Sequence, residues 1–119
     1  MKPLFICYEK CSTCQKAKKW LLANGVDFDE RPIKEQNPTV EELRAWLGRS
    51  GLPLNRLFNT SGMQYRALGL KDRLPVMREE ETLALLASDG MLVKRPVLVT
   101  EGAVCFGFRE DAWREALGL

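Results

Sequence analysis

Four cysteines and no histidine limit what this 119-residue chain can do with its side chains. Two of the cysteines form the run Cys11-Ser12-Thr13-Cys14; the others are Cys7 and Cys105. Without an imidazole, a Ser-His-Asp or Cys-His pair is excluded, and so is an HExxH zinc site. Acid–base work falls to Cys, Asp, Glu, Lys, Tyr or solvent. A thiol gains most from the point where a strand gives way to a helix, because the first helical N–H groups have no partner and the macrodipole is positive there. A thiolate so placed accepts those hydrogen bonds, and its pKa falls. Cys11 is the residue expected in that position, with Lys10 adjacent as a further positive charge. Cys14 follows one helical turn later, within disulfide reach, as the less exposed resolving thiol.

Other uses of the cysteines fit less well. Cys7-x3-Cys11-x2-Cys14 matches the spacing of iron–sulfur sites in radical S-adenosylmethionine enzymes, but those need a far longer barrel, and Cys7 falls within a strand. A zinc site that adds Cys105 lacks a second paired ligand. No metal ligand set is expected, and Cys7 and Cys105 read as small core residues.

The elements that must position Cys11 are legible around it. Pro3 to Tyr8 is a short apolar run bounded by charge, the pattern of a strand buried on both faces. Ala17, Trp20, Leu21 and Leu22 then recur at helical spacing, and Asn24-Gly25 closes the helix. Val26 to Ile33 alternates as a second strand, parallel to the first if the helix is a crossover. Thr39 with Glu42 three residues on is a capping box for a helix whose apolar face carries Leu43, Trp46 and Leu47. A short helical piece is expected through Tyr65 and Leu68, and a helix over Glu79 to Ala87, acidic at its start. Asp89-Gly90 is a turn signal. Pro96 to Thr100 and Ala103 to Phe108 form a hairpin about Glu101-Gly102, and Arg109 to Leu117 is a last amphipathic helix.

The order β-α-β, several helices, then β-β-α is the α/β topology of a thioredoxin-like (glutaredoxin-like) fold with an inserted helical subdomain. The expected organisation is a single domain over residues 1–119, with a core of about 1–36 and 91–119 and a helical insertion of about 37–90. The length suits one self-supporting core. Lys and Arg total 18 against 16 Asp and Glu. So even a balance argues against general binding to nucleic acid or to a membrane surface. No secretory signal precedes the first strand and no apolar run approaches a membrane span, so the expected location is the cytoplasm, where thiols stay reduced.

In thioredoxin-like folds the residue pair at the start of the third strand, here Arg95-Pro96, faces the active cysteine, with the proline peptide in cis. Arg95 would then bring a planar cation near Cys11, suited to an oxyanion or carboxylate.

The blocks CSTCQKAKKWLLANG, FNTSGMQYRALGL and LVKRPVLV…VCFGFRED, in this order and spacing, resemble the arsenate reductase (ArsC)/Spx family over nearly the whole chain. Within it the chain is most similar to the arsenate reductase-like members that combine the CxxC with the NTSG and SDGML blocks. The resemblance implies a nucleophilic cysteine at Cys11, arginines that hold the oxyanion at Arg66 and Arg95, and a cis-proline at Pro96. A third arginine of the reductases has no counterpart in Cys105 to Phe108, with Arg109 just beyond. Reductases of this type often lack the second cysteine and draw on glutathione and glutaredoxin.

Two functions follow as expectations. One is a thiol-dependent oxidoreductase: Cys11 attacks arsenic(V) or a disulfide sulfur, and Cys14 or an external thiol resolves the adduct. No bound cofactor is expected, and reducing equivalents come from glutathione/glutaredoxin or thioredoxin. The alternative is an Spx-like redox-sensing regulator that binds RNA polymerase through a surface switched by a Cys11–Cys14 disulfide. The chain ends at Leu119, without the longer basic C-terminal extension of those regulators.

Overall fold

A computed structural model describes residues 2–119. In chain order its strands and helices are β1 (Leu4–Cys7), α1 (Ser12–Ala23), β2 (Asp29–Pro32), α2 (Val40–Ser50), α3 (Met63–Ala67), α4 (Leu70–Arg73), α5 (Glu79–Ser88), β3 (Val97–Val99), β4 (Val104–Phe106) and α6 (Glu110–Leu117). Short 3-10 turns occupy Leu54–Leu57, Leu74–Val76 and Gly90–Leu92. The chain divides into two units, one made of the residues up to Pro32 with Arg95–Leu119, the other of Ile33–Lys94.

The first unit is built on a mixed four-stranded sheet ordered β2-β1-β3-β4. β1 runs parallel to β2 through the α1 crossover and antiparallel to β3, which forms a hairpin with β4. This is a thioredoxin-like α/β fold. Register decides which side chains share a face, because successive residues of a strand point to opposite sides. Phe5 pairs with Glu30 on one side and Leu98 on the other, and Leu98 pairs with Cys105. Cys7, two residues beyond Phe5, joins that face.

Helices α1 and α6 cover it: Ala17, Leu21 and Trp113 pack with Phe5, Cys7, Cys14 and Leu98 in one buried cluster. Trp113 is its largest member. It meets Phe5, Trp20 and Phe108 edge to face, and its indole N–H donates to the Gly107 carbonyl at 3.0 Å. The indole therefore fills the core while its one polar atom stays paired. α1 ends as its sequence dictates: the Asn24 amide donates to the Trp20 carbonyl at 2.8 Å, and Gly25 takes the left-handed conformation at φ 67°.

In the second unit, α2 opens with the expected capping box. Thr39 Oγ1 accepts from the Glu42 N–H at 3.1 Å, and Glu42 Oε1 accepts from the Thr39 N–H at 3.0 Å. Leu43 and Trp46 of α2, Leu70 of α4, and Leu83 and Leu86 of α5 are buried. Phe58 and Val93 form an isolated antiparallel bridge, extended by Asn59 N–H to Leu92 O at 2.8 Å and Lys94 N–H to Leu57 O at 2.8 Å. Gly90 is buried so close to the chain that a Cβ would collide with the Ile33 carbonyl oxygen. Among the described residues no helix is long and apolar enough to cross a membrane.

Candidate functional site

The four residues after β1 form a tight turn that sets the start of α1. Cys11 N–H donates to the Tyr8 carbonyl at 3.0 Å, and the Gln15 side chain donates to the Glu9 carbonyl at 2.9 Å. Cys11 is the N-cap of α1, with extended φ and ψ of −91° and 120°, and its carbonyl takes the first helical hydrogen bond from Gln15 N–H at 3.0 Å. It is partly exposed, whereas Cys14 is only 3% exposed, and both thiols are free.

The two thiols titrate in opposite directions. Burial works against ionisation of Cys11, but the backbone N–H and the thiol of Cys14, together with a hydrogen bond and the charge of Arg95, outweigh it and lower its pKa. The Cys11 side chain makes no capping hydrogen bond in the resting geometry, so these donors act once it carries charge. Burial pushes the Cys14 thiol up to about 12, against the Tyr8 N–H that donates to its sulfur at 3.4 Å. The result is a partly exposed, more readily ionised thiol beside a buried thiol that keeps its proton.

Arg95 is fixed from a second side. Its guanidinium carbon lies 5.5 Å from the centre of the Tyr8 ring, an arrangement in which the cation meets the negative face of the ring. The Arg95–Pro96 peptide is cis. Lys10, the neighbour of Cys11 in sequence, is exposed, and the cation that acts on the thiol is Arg95. Arg66 sits exposed on α3 in the other unit. Arg109 is the N-cap of α6 and pairs with Asp111 at 3.4 Å.

Glu30 is a residue that the sequence did not single out. Its carboxylate accepts a hydrogen bond from the Cys7 thiol at 3.4 Å and pairs with Lys18 at 2.9 Å. The signal is diagonal: Glu30 pairs with Phe5 across β1 and β2, which leaves it beside Cys7 on the α1 face. Burial pushes Cys7 up to about 12, reinforced by the Glu30 charge and hydrogen bond. Cys105 is also raised by burial. Among the described residues no group of three or more His, Cys, Asp or Glu side chains could hold a metal ion.

The sequence pattern of the ArsC family matches residues 7–116. The chain belongs to the ArsC family. It is 52% identical to the uncharacterised protein YusI of Bacillus subtilis strain 168 over 97% of this chain and 98% of that one. It is 30% identical to the global transcriptional regulator Spx of Enterococcus faecalis, over 90% of this chain and 80% of the regulator. Among solved structures, an ArsC family related protein from Bacteroides fragilis superposes with a TM-score of 0.95 at 54% identity, each chain 98% covered. A chain named as a possible arsenate reductase from Streptococcus mutans UA159 gives 0.84 at 50% identity, with 90% and 91% covered. Arsenate reductase-like proteins and Spx regulators are thus both kin of this ArsC-family protein.

Proposed function

We propose that this ArsC-family protein is a thiol-dependent oxidoreductase resembling arsenate reductase, with Cys11 as nucleophile and Cys14 or an external thiol as resolver. The observation that carries the reading is the division of labour within Cys11-Ser12-Thr13-Cys14: one thiol is partly exposed and easily ionised, the other buried and protonated.

With a disulfide substrate, the Cys11 thiolate attacks one sulfur, the substrate S–S bond breaks, and the departing thiolate takes a proton from water. Cys14 then loses its proton and attacks Cys11 Sγ, so the second substrate sulfur leaves as a thiol and Cys11–Cys14 becomes a disulfide. Two electrons pass from the protein to the substrate. With arsenate, Cys11 displaces an oxygen from arsenic(V) as water; the resolving thiol attacks Cys11 Sγ, and the electron pair of the S–As bond stays on arsenic as arsenic(III). Arg95, and by family likeness Arg66, are the cations proposed to hold the oxyanion. Glutathione with glutaredoxin, or thioredoxin, returns the protein to its dithiol form, which suits the reducing cytoplasm.

The test is arsenate-dependent NADPH consumption by the purified chain with the glutaredoxin and thioredoxin systems, beside Cys11→Ser. Turnover that vanishes in Cys11→Ser supports the reading. Kinship with proteins named as the regulators Spx and MgsR favours a second reading, a redox-switched partner of RNA polymerase. No turnover in any system, with RNA polymerase retained on the immobilised reduced or oxidised chain, would establish that one instead.

A further inference from the structure

Tyr8 meets the cysteine pair through its main chain as well as its ring. Its carbonyl accepts from the Cys11 N–H at 3.0 Å, and its own N–H donates to Cys14 Sγ at 3.4 Å. The residue that follows β1 thus holds Cys11 by its backbone and Cys14 by its sulfur. A neutral thiol is a weak acceptor and gains little from an N–H, whereas a thiolate gains much more. An amide aimed at a sulfur that is only 3% exposed therefore favours the ionised state where water offers almost no solvation.

The neighbours of Cys14 divide by what happens to Cys11. While Cys11 is free, the Cys14 thiol serves as its donor, and that hydrogen bond and the Cys11 charge both work against ionisation of Cys14. Once Cys11 Sγ is bonded to a substrate atom it carries no charge, and that opposition is gone. The Tyr8 N–H and the Arg95 charge both favour the Cys14 thiolate, and both stay in place. Arg95 acts by its charge; the N–H is seated on the sulfur itself.

Given the reading of Cys14 as resolver, we infer that the Tyr8 amide N–H holds the Cys14 sulfur as the thiolate that closes the disulfide, and that adduct formation on Cys11 frees Cys14 to ionise against it. With a disulfide substrate, Cys14 gives its proton to solvent and its sulfur bonds to Cys11 Sγ. The bond from Cys11 Sγ to the substrate sulfur breaks, and that sulfur leaves with the electron pair and takes up a proton. The two cysteines end oxidised and the substrate reduced, with no net change in protons in this step. A hydrogen bond also blunts a thiolate, since its reactivity follows its basicity with a slope of about 0.4–0.5. Cys14 is protonated at neutral pH, so the gain in thiolate outweighs that loss and closure is faster.

Synthetic residues 1–10 ligated at Cys11 to residues 11–119 give the full chain with the Tyr8 amide replaced by an ester. Mixing the reduced chain with one equivalent of bis(nitrothiobenzoate) disulfide separates the two steps. The first coloured thiolate appears as Cys11 attacks, the second as Cys14 closes the disulfide. The ester is expected to leave the first phase unchanged, which also reports a folded chain, and to slow the second roughly three- to tenfold near neutral pH. The pH at which Cys14 is alkylated should rise in the ester chain while that of Cys11 stays put. A second measurement needs no ligation: labelling with nitrogen-15 tyrosine gives two amide signals, from Tyr8 and Tyr65. The Tyr8 signal should shift on Cys14→Ala and much less on Cys11→Ser. A second phase and Cys14 profile unchanged by the ester, both phases slowed alike, or a Tyr8 signal indifferent to Cys14→Ala overturns the role of the N–H while leaving Cys14 as resolver. A second phase that persists in Cys14→Ser overturns the reading on which that role rests.

Discussion

The Arg95 guanidinium lies over the ring of Tyr8, 5.5 Å from its centre, and Tyr8 is also the residue whose carbonyl closes the turn onto Cys11 N–H. One aromatic ring thus fixes the cation that acts on the Cys11 thiol, and the backbone of the same residue fixes Cys11. The N–H of the same residue donates to Cys14 Sγ at 3.4 Å, so both thiols are referenced to Tyr8.

Arg95→Ala is expected to raise the Cys11 titration midpoint, since an opposite charge within hydrogen-bonding reach favours the ionised form. Tyr8→Leu, which removes the ring but leaves the backbone contacts, should move it less in the same direction. The pH dependence of the iodoacetamide reaction, followed on the Cys11 peptide by mass spectrometry, measures both.

Alkaline stability carries the signature of the buried thiols. Cys7 and Cys14 are raised to about 12 from an ordinary 9.0, so the fold favours their neutral forms. Their contribution is complete below about 9, where both states hold the protons, and is lost as pH rises from about 9 towards 12 and the unfolded chain ionises first. Urea unfolding of the reduced chain across that range should show a falling midpoint, and Cys7→Ala should flatten the fall.

Gly90→Ala should destabilise the Ile33–Lys94 unit by about 3 kcal/mol or more, because the new methyl would meet backbone rather than a side chain that can turn aside. Urea titration with a probe in that unit, such as the fluorescence of Trp46, reads the change.

Trp113→Phe removes volume from the centre of the α1 face and leaves the buried Gly107 carbonyl without its indole donor. The expected loss is roughly 2 to 4 kcal/mol, read as a lower urea midpoint at unchanged slope.

Much of this architecture was legible in the sequence because its signals are local. The apolar run of β1, the Asn24-Gly25 end of α1, the Thr39/Glu42 box and the β3–β4 turn each depend on neighbours a few residues apart, and each element formed where its pattern lay. The turns at Leu54–Leu57 and Leu74–Val76 and the four-residue α4 were not anticipated, since segments this short and broken by proline carry no period to read. Asp89-Gly90, read as a turn, begins a 3-10 turn over Gly90–Leu92.

The site divides the same way. Cys11 at a helix start is a statement about adjacent residues. Lys10 read as a further cation for Cys11 because it is adjacent, yet it is exposed and does not act on the thiol; Arg95, expected near Cys11 from its place beside Pro96 before the third strand, is the cation that does. Glu30 was invisible for a related reason: only the parallel register of β2 on β1 tells which of Asp29, Glu30 and Arg31 shares a face with Cys7.

The most direct test of the whole account is peptide-resolved alkylation of the reduced chain as a function of pH. The expected result is a Cys11 midpoint below the ordinary 9.0, with Cys14 protected until the solution nears pH 12. A Cys11 that titrates at or above 9.0, or a Cys14 that is alkylated first, would contradict the assignment of nucleophile and resolver.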